Sequence, residues 1–256
     1  RTMADLDVLT YGFAFVSDQG SFGWSSVSLV SIGDRKLMID TGPSSRRAMV
    51  YGALQSRGLE PEDIDTVILT HLHWDHCQNV DLFRNARVLV HSKELDYARS
   101  PKSGDLAFAA GVPDVLGRMT VEPVSDGDVV AEGLSVIATP GHTKGHLSIL
   151  ADVDGDRVLI AGDAMPDAGT VRRGLPYNVF WDTNEAAGSV EKMLDSSRVF
   201  YPGHDRPFRL DGDTITYLEG PSQIEVFDSN EGGGAASLKY TVRAVREVTI
   251  NPVQKG

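Results

Sequence analysis

Three histidines and one aspartate fall within six consecutive positions of the segment Thr70-His71-Leu72-His73-Trp74-Asp75-His76. The segment directly follows an apolar stretch, residues 66–69, which is typical of a short buried strand. Imidazole nitrogens and carboxylate oxygens are the ligands that divalent zinc, iron and manganese accept. Packing alone does not require so many of them at this density. The segment therefore predicts a metal site at the end of a strand, with further ligands supplied from elsewhere in the chain.

Two more histidines and one acid follow predicted strands. His142 comes after Ile137-Ala138-Thr139-Pro140-Gly141, Asp163 after Leu159-Ile160-Ala161-Gly162, and His204 after Phe200-Tyr201-Pro202-Gly203. Each of them begins a loop where a strand has just ended, and in layered α/β folds sites lie at the carboxyl ends of strands. These three residues are the candidates to complete the site.

The elements that must position these residues form two similar sets. Alternation predicts strands at residues 6–15, 26–32, 36–40, 65–69 and 87–90 in the first set, and at 128–131, 134–139, 147–151, 157–160 and 198–201 in the second. One helix is predicted after Gly42-Pro43, with Ser44 or Ser45 as its N-cap, ending near Gly58. A second covers residues 185–194, with Asn184 as its cap. Residues 92–119 are predicted to be helical or irregular, and 222–228 with 237–250 to form a C-terminal β-hairpin.

The composition excludes several classes of protein. A chain of 256 residues with 41% hydrophobic content is long enough for one substantial core or for two halves that share one. A net charge of -12 argues against a nucleic-acid partner. Cys77 is the only cysteine, which excludes an intramolecular disulfide. No apolar stretch approaches the roughly 20 residues of a membrane span. A cytoplasmic location is expected, and residues 1–3 are interpreted as a remnant ahead of the natural start rather than a signal peptide.

Taken in order, the four motifs His-x-His-x-Asp-His, Thr-Pro-Gly-His-Thr, Gly-Asp and Gly-His resemble the metallo-β-lactamase superfamily. The resemblance implies an α/β chain folded as one domain over residues 1–256. Its core, about residues 6–210, would be a four-layer αβ/βα sandwich, and residues 211–256 a C-terminal strand extension. Two divalent metal ions would lie at the open edge of the sandwich. Zn²⁺ is favoured, with Mn²⁺ and Fe²⁺ as alternatives.

The resemblance also implies a role for each residue of the motifs. The first metal would be held by His71, His73 and His142, the second by Asp75, His76 and His204, with Asp163 bridging them. Two further residues are expected behind the ligands. Asp40 would support the histidine loop, and His146 would hydrogen-bond in the loop that shapes His142.

Two divalent ions close together can lower the pKa of a shared water to near ~7, so hydrolysis needs no side-chain nucleophile. Asp75 is expected to accept and return the proton. Within the superfamily, Asp163 argues against antibiotic hydrolysis, because the true β-lactamases have a cysteine or a serine near that place. The pattern is most similar to acyl-homoserine lactonases and predicts opening of a lactone or related ester. A thioester hydrolase resembling glyoxalase II and a mononuclear iron persulfide dioxygenase are the alternatives.

Substrate contacts are predicted separately, because the chain departs from the lactonase pattern at one position. The tyrosine expected three residues after Asp163 is replaced by Pro166, and Tyr177 or Tyr11 is expected to substitute for it. Phe22 and Trp24, on the loop at residues 18–25, are expected to cover a small apolar substrate. Structural roles are predicted for the neighbouring Cys77, Trp74 and His91. A second copy of the chain is a further candidate partner.

Overall fold

The computed structural model describes residues 4–17 and 20–220. Its strands are β1 (Asp5–Thr10), β2 (Val16–Ser17), β3 (Gly20–Ser21), β4 (Val27–Ile32), β5 (Arg35–Ile39), β6 (Thr66–Ile68), β7 (Arg87–His91), β8 (Thr120–Val124), β9 (Val129–Ala131), β10 (Leu134–Ala138), β11 (Leu147–Val153), β12 (Asp156–Gly162), β13 (Val199–Pro202), β14 (Phe208–Asp211) and β15 (Thr214–Tyr217). Its α-helices are α1 (Arg47–Gln55), α2 (Trp74–Cys77), α3 (Ser92–Arg99), α4 (Val112–Leu116), α5 (Gly169–Arg173) and α6 (Thr183–Ser196).

Two large sheets contain most of these strands. One has six strands in the order β1-β4-β5-β6-β7-β8, and the other has seven in the order β15-β14-β13-β12-β11-β10-β9. The strands β5, β6, β7 and β8 run parallel, as do β12 and β13. β10 pairs antiparallel with β11, and β11 pairs antiparallel with β12. The strands β10 and β12 therefore run in the same direction and end at the same edge of their sheet. At this edge the Leu147 N–H donates to the Thr70 carbonyl at 2.9 Å and joins the two sheets.

Three apolar clusters define four layers. The cluster between the sheets takes Ile39 and Ile68 from one sheet and Ile149 and Ile160 from the other. Successive strand residues point to opposite faces, so Met38 lies in a second cluster, which covers the outer face of the six-stranded sheet beneath α1, α3 and α4. A third cluster packs α5 and α6 on the outer face of the seven-stranded sheet. This helix–sheet–sheet–helix arrangement confirms the predicted four-layer αβ/βα sandwich.

The first predicted strand, residues 6–15, is too long, because β1 ends at Thr10. Beyond it the chain leaves the sheet and crosses the segment that carries His204. A Cβ atom at Gly12 would collide with the Gly203 carbonyl oxygen, so only glycine fits at this crossing. The Ser26 N–H donates to the same Gly203 carbonyl at 2.7 Å. The first loop and the His204 loop are therefore packed backbone to backbone.

Both predicted helix caps are wrong. Asp182 is the N-cap of α6, and its carboxylate accepts from the backbone N–H groups of Asn184 and Glu185, each at 2.9 Å. Asn184 lies inside the helix instead. Neither Ser44 nor Ser45 caps α1, which continues from a 3₁₀ turn over Ser44–Arg46 and has no side-chain cap. Asp182 is a favourable cap for α6 because its carboxylate accepts these hydrogen bonds and also interacts favourably with the positive end of the helix dipole.

Residues 92–119 contain α3 and α4, joined by an irregular loop, as expected. The predicted hairpin at 222–250 lies outside the described residues, as do residues 18–19 of the loop at 18–25. Among the helices of the described chain, none combines the length and apolar character that a bilayer crossing requires.

Candidate metal centre

Seven histidine and aspartate side chains meet at the edge where the strands of both sheets end. They lie at the ends of β6, β10, β12 and β13 and in the short helix α2, and each is between 0% and 8% exposed. We refer to them as the seven-residue cluster: His71, His73, Asp75, His76, His142, Asp163 and His204. The structure thus brings together every residue that the resemblance named as a ligand.

One half of the cluster contains imidazoles alone. The Nε2 atom of His142 lies 3.0 Å from Nδ1 of His73. The His71 ring stands edge-on to both, with centroid separations of 4.6 Å from His73 and 4.8 Å from His142. One ligand atom of each residue lies within 4.8 Å of the others. Three imidazole nitrogens at this spacing could supply three ligands of a tetrahedral site and leave a further position open.

The other half mixes imidazoles with a carboxylate. Oδ2 of Asp75 lies 3.3 Å from Nε2 of His204 and 3.8 Å from Nε2 of His76. These three residues also satisfy the spacing of a metal-binding group. Burial lowers the pKa of His204, but the Asp163 and Asp75 carboxylates outweigh it and raise that pKa to about 10. The negative charge of this half is thus strong enough to hold a proton on a buried imidazole, which is the electrostatic condition for holding a cation.

Asp163 lies between the two halves. Its Oδ1 atom is 3.2 Å from Nε2 of both His76 and His204, whereas Oδ2 is 3.4 Å from Nε2 of His142. A Cβ atom at position 203 would collide with Oδ1, so Gly203 is needed to let the carboxylate enter. One oxygen therefore faces each half, which is the arrangement a bridging ligand requires.

Three buried atoms of the cluster have no hydrogen-bond partner within the described residues: Nε2 of His71, Nε2 of His76 and Oδ1 of Asp163. A buried polar atom without a partner costs about 1–3 kcal/mol, so native proteins rarely leave three in one place. His71, His76 and Asp163 also form a group whose ligand atoms lie within 4.8 Å of one another. The residues present therefore fit divalent cations, and a cation would satisfy these atoms.

Asp40 hydrogen-bonds the histidine loop on the side away from the centre of the cluster. Its Oδ2 atom accepts from Nδ1 of His76 at 2.7 Å, and Oδ1 accepts from the Thr70 N–H at 2.8 Å. The backbone of Asp40 is left-handed, with φ 58°, a conformation that aspartate tolerates better than most residues. The Thr70 hydroxyl also lies 3.0 Å from Nδ1 of His71. This network leaves Nε2 of both histidines facing the centre of the cluster.

His146 hydrogen-bonds both the loop that carries His142 and the backbone of Asp163. Its Nε2 atom accepts from the Asp163 N–H at 3.0 Å, and its Nδ1 atom lies 2.8 Å from the Thr139 hydroxyl. From there a chain of hydrogen bonds continues through Ser148 to the Ala161 carbonyl. Burial lowers the pKa of His146 well below its usual value, so the ring is neutral and Nε2 can accept. His146 therefore bonds to Thr139 in the loop that leads to His142, and it also supports the strand end that carries Asp163.

Two acids that support the cluster were not predicted from the sequence. Asp105 lies 3.1 Å from Nε2 of His73, which leaves Nδ1 of that ring for the centre. Glu94 accepts from the Leu72 N–H at 3.1 Å and from the Gly145 N–H at 2.8 Å, and so connects the two loops that carry histidines. Both acids fall in the segment 92–119, where the sequence shows no metal-ligand spacing that would have identified them.

The two tyrosines predicted to contact the substrate, Tyr177 and Tyr11, lie at different distances from the cluster. The Tyr177 ring is 6.4 Å from that of His204, and its pKa is raised by burial and by the nearby Asp163 carboxylate, so its hydroxyl remains a hydrogen-bond donor. The hydroxyl of Tyr11 instead bonds to Glu219. The Pro166 carbonyl accepts from the His204 N–H at 2.8 Å. Of the two candidate tyrosines, the structure therefore places Tyr177 beside the cluster.

Phe22 and Trp24 differ in how closely their side chains are packed against the protein. Trp24 packs edge-on against Phe13 at 4.7 Å and lies under the Arg46 guanidinium at 5.3 Å. Phe22 is 50% exposed and contacts Phe15, with 6.3 Å between ring centroids. Phe22 therefore remains available to a ligand, whereas Trp24 anchors the loop.

Cys77, Trp74 and His91 have the structural roles that were predicted. The buried Cys77 thiol donates to the His73 carbonyl at 3.0 Å. Trp74 packs against the outer apolar cluster of the six-stranded sheet. Nδ1 of His91 accepts from the Lys93 N–H at 3.0 Å.

Comparison with known proteins agrees with this fold. Residues 21–204 match the family model described as the Metallo-beta-lactamase superfamily. Metallo-beta-lactamase domain-containing protein 1 of Xenopus laevis is 35% identical over 187 residues, which is 72% of each chain. An N-acyl homoserine lactonase of a Bacillus species is 27% identical over 162 residues, covering 61% of this chain and 62% of that protein.

Solved structures show the same fold. A putative metallo-beta-lactamase from Thermotoga maritima is 25% identical with a TM-score of 0.64, covering 81% of this chain and all of that one. AiiA of B. thuringiensis, with N-decanoyl-L-homoserine bound at the active site, is 19% identical with a TM-score of 0.68, covering 80% of this chain and 94% of that one. The family match and the identity to the Xenopus protein establish that the chain belongs to the metallo-β-lactamase superfamily.

Proposed function

We propose that this protein is a hydrolase with two divalent metal ions that opens a lactone or a related ester. The position of Asp163 carries the proposal, because its two oxygens face separate sets of ligand atoms at 3.2–3.4 Å. His71, His73 and His142 would hold one ion, and Asp75, His76 and His204 the other. When bound, two such ions activate water for attack at neutral pH and polarise the substrate carbonyl.

Three residues of the chain would assist the hydrolysis. Asp163 holds the two halves of the cluster together. Asp75 is slightly more exposed than Asp163, the other carboxylate of the cluster. It accepts a proton from the attacking water and returns it to the leaving oxygen. Tyr177 donates a hydrogen bond to the leaving oxygen and so takes the place of the tyrosine that Pro166 replaces. Burial of the cluster keeps bulk water away and strengthens each of these interactions.

A lactone is the favoured substrate because of the relatives. One protein similar to this chain in sequence is named an N-acyl homoserine lactonase. Another that shares its fold, AidC, is described as a dizinc quorum-quenching lactonase and is 15% identical with a TM-score of 0.63, covering 80% of this chain and 82% of that one. The half-exposed Phe22 supports a substrate with an apolar part. We expect Zn²⁺ in both positions.

Metal content and a substrate panel test the proposal together. Protein purified without added metal is analysed for zinc, manganese and iron, and kcat/KM is measured for acyl-homoserine lactones, aromatic lactones and S-lactoylglutathione. About two zinc ions per chain with a preference for a lactone is the expected result. Two ions with a preference for S-lactoylglutathione would make the protein a thioester hydrolase. One iron per chain, with oxygen uptake on glutathione persulfide, would overturn the proposal.

A further inference from the structure

Two lysines from different loops meet on one aromatic ring beside the seven-residue cluster. Nζ of Lys102 lies 4.4 Å from the centroid of the Trp181 ring, and Nζ of Lys144 lies 5.3 Å from the same centroid. Lys102 also donates to the Trp181 carbonyl at 2.5 Å. Both ammonium groups are therefore held by the same aromatic ring.

The segment that carries this ring contacts the cluster through its backbone. The backbone N–H of Trp181 donates to the Gly141 carbonyl at 3.1 Å, beside His142. Its neighbour Phe180 packs edge-on against the rings of His73 and His142, with centroid distances of 4.7 and 5.3 Å. Lys144 itself lies two residues after His142 in the same loop. The paired positive charges therefore flank the half of the cluster made only of imidazoles.

The surroundings leave these charges available. In the described part of the chain, neither lysine has a carboxylate within 4.0 Å, although acidic residues outnumber basic ones by 36 to 24 in the whole sequence. The nearby Asp105 carboxylate is occupied by His73 and the Tyr97 hydroxyl, and that of Asp182 caps α6. An ammonium group has three donors. Lys102 therefore has two N–H groups left after its bond to the Trp181 carbonyl.

We propose that Lys102 and Lys144 bind an anionic group of the substrate, a carboxylate, and so select for acidic lactones or esters. The inference rests on the proposed function and specifies its substrate class. Both ammonium groups are held by one aromatic ring before the ligand arrives, and a carboxylate that accepts from their N–H groups gains charge-assisted hydrogen bonds. The substrate would then lie with its carboxylate at Trp181 and its reacting carbonyl at the cluster.

The test uses Lys144→Met and Lys102→Met in metal-loaded protein, with Lys93→Met as the control. Lys93 is exposed on α3, so its replacement changes the net charge equally. The substrates are 5-oxotetrahydrofuran-2-carboxylate and its carboxamide, which differ only in charge. We expect each site variant to lower the carboxylate-to-carboxamide ratio of kcat/KM by about tenfold, as for one charge-assisted hydrogen bond. Lys144→Arg should retain most of that ratio, and Lys93→Met should leave it unchanged.

Binding of an unreactive pair separates this proposal from the proposed function. Cyclopentanecarboxylate and cyclopentanecarboxamide are titrated by calorimetry into the same proteins. Weaker binding of the carboxylate alone in both site variants supports the lysine site even if no lactone is hydrolysed. Equal losses for carboxylate and carboxamide, or no loss for either, would overturn it, because the lysines would then only pack on Trp181.

Discussion

The seven-residue cluster and its rim are built in different ways. Every member of the cluster follows a strand or lies in the short helix after one, is almost fully buried, and most have a second hydrogen-bond partner behind them. The rim consists of loop residues such as Phe22, Tyr177 and Trp181, which are partly exposed and each contact another aromatic ring. The sheets therefore dictate the geometry of the cluster, whereas the loops dictate that of the rim.

This difference predicts that the cluster determines metal binding and catalysis, whereas the rim determines substrate selectivity. A change in the cluster or its supports should affect metal content and all substrates alike. A change in the rim should affect one substrate more than another and leave metal content intact. The following substitutions test this division.

The largest effect is expected from Asp163→Ala. Removing the carboxylate between the two halves should reduce turnover of every substrate to background and lower the metal content, because both ions lose a ligand. Elemental analysis and kcat/KM measure the result. Asp114→Ala, at an exposed position of α4, is the control for loss of one acid. Full turnover in the Asp163 variant would contradict a centre with two metals.

Glu94→Gln should weaken metal binding without touching a ligand. The amide offers one oxygen where the carboxylate accepts from the N–H groups of both Leu72 and Gly145, so one buried N–H loses its acceptor at a cost of about 1–3 kcal/mol. We expect Tm to fall by about 5 °C and metal affinity to fall about tenfold. Calorimetric melting and competition with a chelator measure these changes. Unaltered metal affinity together with a lower Tm would restrict Glu94 to a role in folding.

Tyr177→Phe should lower kcat about tenfold while metal content stays the same, because only the hydrogen bond to the leaving oxygen is lost. Tyr11→Phe is a matched control, since the hydroxyl of Tyr11 bonds to Glu219 away from the cluster. If both variants keep full kcat, Tyr177 is a packing residue of the rim. A substrate-dependent change in KM alone would place it in substrate binding instead.

The smallest effect is expected from Cys77→Ala. The thiol is buried and donates only to the His73 carbonyl, and burial raises its pKa well above the usual value, so no thiolate forms. Turnover should remain within a few fold, and Tm should fall by only a few degrees because a small apolar group is lost from the core. Steady-state kinetics and thermal melting check both. Complete loss of turnover would show that the cysteine has a chemical role.

The sequence predicted the cluster well because histidine and aspartate at strand ends form a local pattern that the sheets then bring together. The strands predicted between residues 26 and 201 agree with the structure to within a few residues for the same reason, whereas β14 and β15 were not predicted. Asp105 and Glu94 could not be predicted, since they reach the cluster only through the tertiary path of residues 92–119. The cap of α6 was missed because Asp182 and Asn184 are both good N-caps, and the sequence pattern does not show that the helix already begins at Thr183.

The cluster draws four side chains from the six-stranded half and three from the seven-stranded half. Ions bound there would stabilise the folded state and the packing of the two sheets, because only the folded chain assembles all seven ligands. By mass action, each factor of ten in free metal above the dissociation constant adds about 1.4 kcal/mol to the free energy of unfolding. Cellular metal supply would then regulate how long the folded chain survives as well as how fast it works.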